Sequence, residues 1–178
     1  MKQTSHNQLK VLVDREQIAE TVARIASEIT RDYQKRQPLL IGVLKGSFIF
    51  MADLVRQLKL INIETDFVQV ASYYADKESS GKITLIQDVH KSITDRDVLV
   101  IEDIVDTGLS ISFLLAHLKK KNPASLKLCA LTEKPSQRQV AVSIDYLGFT
   151  LPNNFVVGYG LDLNEKYRCL PDIYSVEK

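Results

Sequence analysis

Apolar side chains recur at helical spacing in three parts of the chain. After Asp14, a capping box formed with Gln17 and a run of regularly spaced apolar residues predict a helix that ends near Tyr33. Two further helices are predicted, one that begins after Ser47 as its cap and one that begins after Gly108. Their buried faces are expected to comprise Ile18, Val22, Ile25, Ala26 and Ile29 in the first helix, Met51, Leu54, Val55 and Leu58 in the second, and Ile111, Leu114, Leu115 and Leu118 in the third.

Short apolar runs lie between these helices and predict buried strands. The predicted strands are Leu39–Leu44, 63–72, 83–86, 98–101 and 126–131, and short strands and turns are expected over 146–160. Residues 1–10 are interpreted as a loose arm, and the polar segment 73–82 as a mobile loop. The alternation of strands and helices predicts an α/β fold with a mainly parallel central sheet.

Composition narrows the class of protein without identifying it. The chain has 178 residues, of which 45% are apolar and 25% charged, so residues 1–178 are expected to form one domain. The net charge of +1 gives no general attraction to nucleic acid or to an anionic membrane. No segment reaches the ~20 apolar residues of a membrane span, and the polar start lacks a signal-peptide core. We therefore expect a cytoplasmic protein with no nucleic-acid or membrane partner.

The two cysteines add no chemistry to this interpretation. Cys129 lies in an apolar run and Cys169 stands alone, so neither forms the paired spacing of a zinc or redox site. The three histidines likewise show no spacing typical of a metal site or a catalytic triad.

Residues 98–110 join a buried strand to chemically active side chains. Four apolar residues lead into Glu102 and Asp103, and after two more apolar residues Asp106-Thr107-Gly108 precedes the third helix. The amide groups and dipole at a helix start attract phosphate, while adjacent carboxylates suit Mg²⁺ or a sugar hydroxyl. Acids at strand ends are often merely solvated, but this longer pattern is far more specific. It indicates nucleotide-type chemistry.

The same residues resemble the phosphoribosyl-diphosphate (PRPP) signature of the type I phosphoribosyltransferases. Further segments narrow the resemblance to the hypoxanthine-guanine phosphoribosyltransferases, and together they run in order from about Val11 to the C-terminus. These segments are 42–47, Ser72-Tyr73, 131–134 and 154–162. The resemblance implies the type I phosphoribosyltransferase fold, with a mainly parallel central sheet flanked by helices and a small hood region. It also implies a homodimer or homotetramer.

The activity implied by this resemblance is purine salvage. A Mg²⁺-dependent enzyme would transfer the 5-phosphoribosyl group of PRPP to N9 of hypoxanthine or guanine, giving IMP or GMP and pyrophosphate. Asp106 would be the catalytic acid or base that handles the proton on purine N7. The implied PRPP and phosphate ligands are Asp103, Asp106, Thr107, Gly108, Leu109 and Ser110. Leu109 stands where some relatives carry lysine, so the backbone must supply more of the phosphate contacts.

The remaining implied roles divide among the metal, the pyrophosphate and the base. The implied ligands of Mg²⁺ are Glu102, Asp103 and Asp162, those of pyrophosphate are Lys45, Gly46 and Arg168, and those of the purine are Lys134, Phe155, Val156 and Asp162. Adjacent strand residues point to opposite faces, so we expect unequal roles for the first two acids. The ammonium of Lys134 only donates hydrogen bonds, which suits a 6-oxopurine and not adenine. Ser72 and Tyr73 would form a lid that excludes water.

Three other classes of protein fit the sequence less well. A nucleic-acid-binding regulator with the same signature needs a basic surface or an added module, which charge and length do not favour, and salt-sensitive retention on nucleic acid would reveal it. A P-loop NTPase needs a glycine-rich motif ending in Gly-Lys-Ser/Thr, but Gly81-Lys82 is followed by Ile83. A dinucleotide-binding fold is not predicted, because Gly158-Tyr159-Gly160 does not open a helix.

Overall fold

The computed structural model describes residues 8–73 and 82–177 of the chain. Within these ranges strands and helices alternate as the sequence predicts. The strands are β1 (Gln8–Val13), β2 (Leu39–Leu44), β3 (Glu64–Tyr73), β4 (Lys82–Gln87), β5 (Asp97–Val105), β6 (Ser125–Glu133), β7 (Tyr146–Thr150), β8 (Val156–Val157) and β9 (Ile173–Glu177). The helices are α1 (Arg15–Asp32), α2 (Phe48–Gln57) and α3 (Leu109–Lys119).

Six strands form the central sheet in the order β4-β3-β2-β5-β6-β7. All neighbouring pairs are parallel except β3 and β4, which are antiparallel. The carboxyl ends of β2, β5 and β6 therefore meet at one edge, which is where ligands bind in sheets of this kind. The predicted α/β fold with a mainly parallel sheet is confirmed.

Helices cover both faces of the sheet, so its inner strands are buried on both sides. Leu40 and Leu99 pack on the face covered by α1 and α2. Leu39 and Val100, one residue away in the same strands, pack on the face covered by α3. All four are 0% exposed, and each such side chain stabilises the fold by about 1.5–3 kcal/mol. This two-sided burial explains the unbroken apolar runs in the sequence.

The helix starts agree with the sequence in α1 but not in α2. Asp14 and Gln17 form the predicted capping box, with backbone-to-side-chain hydrogen bonds of 2.8 and 3.0 Å. The prediction that Ser47 caps α2 is wrong. Its backbone is already helical, and its hydroxyl donates to the carbonyl of Val43 at 2.6 Å. Ser47 therefore fastens the turn between β2 and α2.

A second sheet forms the hood, with antiparallel strands in the order β1-β9-β8. Residues 8–10 belong to β1, so the predicted loose arm is wrong for them, while 1–7 lie outside the described residues. Nearby sequence could not reveal this strand, because its partner β9 lies at the other end of the chain. Tyr73 and Lys82 pair with each other in β3 and β4, which shortens the predicted loop. Its remaining residues, 74–81, lie outside the described part.

Within the described ranges, no helix combines the length and apolar character needed to cross a membrane.

Asp172 fastens the hood to the start of α1. Its buried carboxylate accepts hydrogen bonds from the backbone N–H of Arg15 at 2.9 Å and from the guanidinium at 3.0 and 3.2 Å. The hydroxyl of Tyr174 donates to it at 2.6 Å. Hydrogen bonds from the Arg15 side chain and from Tyr174 lower the pKa of Asp172 to about 2. The ionised carboxylate is therefore the form that stabilises the hood.

The substitution Asp172→Asn should lower the melting temperature at neutral pH, because an amide cannot pair with the guanidinium in the same way. A carboxyl whose pKa is lowered by folding stabilises the protein above its ordinary value of 3.8, and this contribution disappears as the pH falls towards 2. The difference in melting temperature between the parent and the variant should therefore narrow from about pH 5 to about pH 2. Circular dichroism melts measure both values.

Asp95→Asn makes the same chemical change at an exposed position and serves as the control. A difference between parent and Asp172→Asn that stays constant down to the lowest pH would contradict the role of the ionised carboxylate.

Candidate active site

A cavity of about 370 Å³ opens at the carboxyl edge of the sheet, beyond β2 and β5. Most of the predicted site residues line it, namely Lys45, Gly46, Glu102, Asp103, Asp106, Thr107, Gly108, Ser110, Asp162 and Arg168. A larger groove of about 830 Å³ lies between α3 and the start of β6, and the residues that line it include none of the predicted site residues. The smaller cavity is therefore the candidate active site.

Glu102 and Asp103 enter this cavity from inside β5. The sequence places them after the strand, but β5 continues to Val105 because its backbone goes on pairing with β6, where Glu102 lies opposite Ala130. The hydroxyl of Thr132 donates to the carbonyl of Asp103 at 2.9 Å and holds the strand there. The acids are thus fixed by the sheet itself.

Both acids are buried, and the surroundings of Glu102 shift its pKa. Glu102 is 9% exposed and Asp103 is 8% exposed. Burial, followed by the neighbouring charge of Asp103, raises the pKa of Glu102 well above its usual range. Two neighbouring buried carboxylates both stay ionised only when a cation balances their charge, and otherwise one of them holds a proton.

The carboxylates of this cavity fit a hard divalent cation. Mg²⁺ is usually held by one or two protein carboxylates, with substrate oxygens and water completing its coordination. No group of three or more acids, histidines or cysteines suited to a metal occurs in the described ranges. The pair Glu102 and Asp103 matches the smaller set that Mg²⁺ needs from a protein.

The turn after β2 lies directly against these acids. A cis peptide bond joins Leu44 to Lys45. A Cβ atom on Gly46 would lie 1.9 Å from a carboxylate oxygen of Asp103. A Cβ atom on Gly160 would lie 2.1 Å from the carbonyl oxygen of Gly46. Only glycine fits at position 160, where the clash is with backbone, and a side chain at position 46 would force the carboxylate of Asp103 to move.

Residues 106–110 at the start of α3, where the sequence predicts phosphate binding, are called the phosphate cup, and all of them except Leu109 line the cavity. Gly108 has a left-handed backbone with φ of 84°, and a Cβ there would lie 2.6 Å from the carbonyl oxygen of Val140. That close packing supports the cup from behind, where the carbonyl of Thr107 also accepts bonds from the amides of Gln139 and Val140. Leu109 does not line the cavity, so the cup consists of backbone and hydroxyl groups. An anion here would be bound chiefly by amides and the helix dipole.

Asp106 lines the cavity, and its charge interacts with that of Lys134. Lys134 is 6% exposed, and its backbone N–H donates to the carbonyl of Val105 at 3.0 Å. Burial lowers the pKa of Lys134, and the charge of Asp106 partly offsets this effect. In the described residues Oδ1 of Asp106 is buried without a hydrogen-bond partner.

A turn of the hood brings two further predicted residues to the cavity. Arg168 pairs with Asp162 at 2.7 Å and donates to the carbonyl of Gly160 at 2.7 Å. Between them, Glu165 pairs with Lys45 at 3.0 Å. The sequence prediction missed Glu165, although its place between two predicted ligands in a polar turn was a usable signal.

The remaining predicted residues lie away from the cavity lining. Val156 is buried in β8, and Phe155 beside it is 53% exposed. Lys134, Phe155 and Val156 do not line the cavity, so their purine roles stay predictions. Ser72 and Tyr73 end β3, and their side chains lie outside the described part of the chain, as do residues 74–81 of the predicted lid.

Comparison with known proteins agrees with this geometry. Residues 8–164 match the phosphoribosyl transferase domain family. The chain is 46% identical over 164 residues to the hypoxanthine-guanine phosphoribosyltransferase of Streptococcus pneumoniae, covering 92% of this chain and 91% of that protein. A crystal structure of a hypoxanthine-guanine phosphoribosyltransferase from Bacillus anthracis superposes with a TM-score of 0.88 at 42% identity, covering 96% of this chain and 99% of the other.

The chain belongs to the phosphoribosyl transferase family and, within it, to the hypoxanthine-guanine phosphoribosyltransferases. Some relatives are much longer. The bifunctional protein TilS/HprT of Listeria innocua is 44% identical over 172 residues, which cover 96% of this chain but only 26% of that protein. The chain thus spans about a quarter of the length of that relative. The implied type I phosphoribosyltransferase fold is confirmed.

Proposed function

We propose that this protein transfers the 5-phosphoribosyl group of PRPP to N9 of hypoxanthine or guanine, releasing pyrophosphate and forming IMP or GMP in purine salvage. One observation carries the proposal. A single cavity joins the turn after β2, the acids of β5 and the cup at the start of α3. These are the three features needed for pyrophosphate, ribose and 5′-phosphate. The identities to hypoxanthine-guanine phosphoribosyltransferases support the choice of base.

The PRPP roles follow from the positions around this cavity. The amides and hydroxyls of 106–110 bind the 5′-phosphate at the start of α3. Lys45, Gly46 and Arg168 bind the pyrophosphate group from the opposite wall. Glu102 and Asp103 hold the ribose hydroxyls between them.

The buried acids also make this the place for Mg²⁺. Glu102 and Asp103 would hold one ion, and Asp162 would hold a second at the pyrophosphate end. When bound, Mg²⁺ supplies positive charge that stabilises the departing pyrophosphate.

The base is activated by the carboxylate of Asp106. The N9–C1′ bond forms as the bond from C1′ to the pyrophosphate oxygen breaks, and the proton on N7 passes to Asp106. The place of Asp106 in the cavity lining supports its assignment as proton acceptor. Lys45 and Arg168 offset the charge that builds on the leaving group.

Recognition of the base depends on residues at the rim. Lys134 donates to the 6-oxo group, Phe155 stacks on the ring, and Val156 contacts the ring edge through its backbone. Asp162 follows shortly after β8 in the sequence, and it contacts the base as well as the metal. Ser72 and Tyr73 close over the site and exclude water, which protects PRPP from hydrolysis.

We also propose an oligomeric state and a cellular location for the enzyme. We expect a homodimer or homotetramer in the cytoplasm, with PRPP and a 6-oxopurine as its partners. The two free thiols, Cys129 and Cys169, are compatible with a reducing compartment.

A direct assay tests the proposed reaction. Purified protein is mixed with PRPP, Mg²⁺ and each of hypoxanthine, guanine, xanthine and adenine in turn, and nucleotide formation is followed by ultraviolet absorbance. The 6-oxopurines hypoxanthine or guanine should react, and adenine should not, because Lys134 can only donate to the 6-position. Folded protein that converts none of these bases would contradict the proposal.

Asp106→Asn should reduce turnover by about 10²–10⁴-fold, which is the usual contribution of a positioned acid or base. The affinity for PRPP should change little, because the amides of the phosphate cup remain. Steady-state kinetics and calorimetric titration with PRPP separate the two effects. The Asp95→Asn control should match the parent in both, and unchanged turnover in Asp106→Asn would remove the proton-transfer role.

Lys134→Met should weaken base binding while leaving the fold at least as stable. Burial lowers the pKa of Lys134, so at pH values below the ordinary 10.5 its charged form costs folding free energy that methionine avoids. The melting temperature should therefore equal or exceed that of the parent at neutral pH. The KM for hypoxanthine should rise sharply, and PRPP binding should persist.

Lys119→Met changes an exposed lysine of α3 in the same way and should alter neither quantity. A selective loss of PRPP affinity in Lys134→Met would count against the role of Lys134 in binding the base.

A further inference from the structure

Glu165 joins the two cationic side chains of the cavity. Its oxygen Oε2 lies 3.0 Å from Nζ of Lys45 and 3.5 Å from a guanidinium nitrogen of Arg168. These are the same two cations that are assigned to pyrophosphate. One carboxylate oxygen therefore bridges them in the way that an oxygen of a bound diphosphate would.

The chain holds Glu165 at this position through a tight turn. Mutual backbone hydrogen bonds between Leu163 and Lys166, of 3.2 and 3.1 Å, close the turn. Asn164 and Glu165 at its tip both have a left-handed backbone, with φ of 53° and 63°. This conformation is uncommon for a side chain like that of glutamate. The backbone N–H of Glu165 also donates to the carboxylate of Asp162 at 2.9 Å, which ties the tip to the cavity wall.

We propose that Glu165 is a positioning residue that acts as an internal anion, competing with pyrophosphate and with the diphosphate of PRPP for Lys45 and Arg168. This proposal rests on the proposed function and adds to it a residue that controls affinity. When the diphosphate enters, it displaces the carboxylate from both cations. When pyrophosphate leaves, the carboxylate returns and the cations are never left without a partner.

The strengths of the interactions fit such an exchange. The side chains of Lys45 and Glu165 are 56% and 65% exposed, and ion pairs as exposed as this are weak. A diphosphate carries several negative charges and displaces one carboxylate readily. Because the carboxylate competes with product as well as substrate, it also limits how tightly pyrophosphate is retained.

Glu165→Gln tests the competition, since glutamine keeps the shape and removes the charge. Calorimetric titration with magnesium pyrophosphate should give a Kd about three- to tenfold lower than that of the parent at low ionic strength, in line with the loss of a weak competing ion pair. The KM for PRPP should fall in proportion, and kcat should not rise. The difference should shrink at high salt, because exposed charges are screened.

Two variants control for charge and shape. Glu20→Gln removes one exposed acid from α1 and should bind magnesium pyrophosphate like the parent. Glu165→Asp keeps a negative charge in the turn and should bind pyrophosphate less tightly than Glu165→Gln. Thermal melts of all variants should coincide with that of the parent, because these side chains are exposed at the surface.

The possible outcomes separate this proposal from the proposed function. If the parent converts PRPP and a base, but Glu165→Gln binds pyrophosphate with equal or lower affinity, competition by Glu165 is overturned and the function stands. A salt-independent difference would likewise overturn it. If the parent neither binds magnesium pyrophosphate nor forms nucleotide, the proposed function fails together with the competition that depends on it.

Discussion

The burial of two adjacent carboxylates at the end of a central strand sets the constraint that the rest of the site obeys. Glu102 and Asp103 are both less than a tenth exposed, and their backbone is locked into the ladder between β5 and β6. Taking charged groups out of water is expensive, so the surroundings must supply a proton, a cation or a hydrogen bond. The strand holds the two acids in the cavity although their charged forms would be more stable in water. Charged groups held in an unfavourable environment are typical of a binding site.

The burial of the two acids also restricts which residues can pack against them. The carboxylate of Asp103 occupies the space that a side chain at position 46 would need, and the carbonyl of Gly46 occupies the space beside Gly160. Three distant parts of the chain therefore meet at Gly46, which lies against the carboxylate of Asp103 and against the backbone of Gly160. Because Arg168 also donates to the carbonyl of Gly160, the hood reaches the reactive edge of the sheet directly.

Local sequence predicts the elements that neighbouring residues encode. It does not predict elements that form only by pairing with residues distant in the sequence. The capping box of Asp14 and the buried strand β2 were predictable, because neighbouring residues alone encode them. The pairing of β1 with β9 was not, since it joins opposite ends of the chain. The polar residues of β5 looked like a strand end, although β6 continues to pair with them. The polar turn could mark Glu165 as a candidate, but its bridging contact depends on Lys45, which is remote in sequence.

The balance of charge in the cavity predicts that a cation accompanies a polyanionic substrate. Among the described residues, four carboxylates line the cavity, those of Glu102, Asp103, Asp106 and Asp162, against the two cations Lys45 and Arg168. Both cations are already paired with acids of the hood turn. A diphosphate that entered alone would meet a net negative wall, and its repulsion would be strong at low dielectric. Divalent cations bound to the buried acids would make the net charge of the cavity wall positive. The acids that repel a diphosphate without a cation would then hold the diphosphate through the cation.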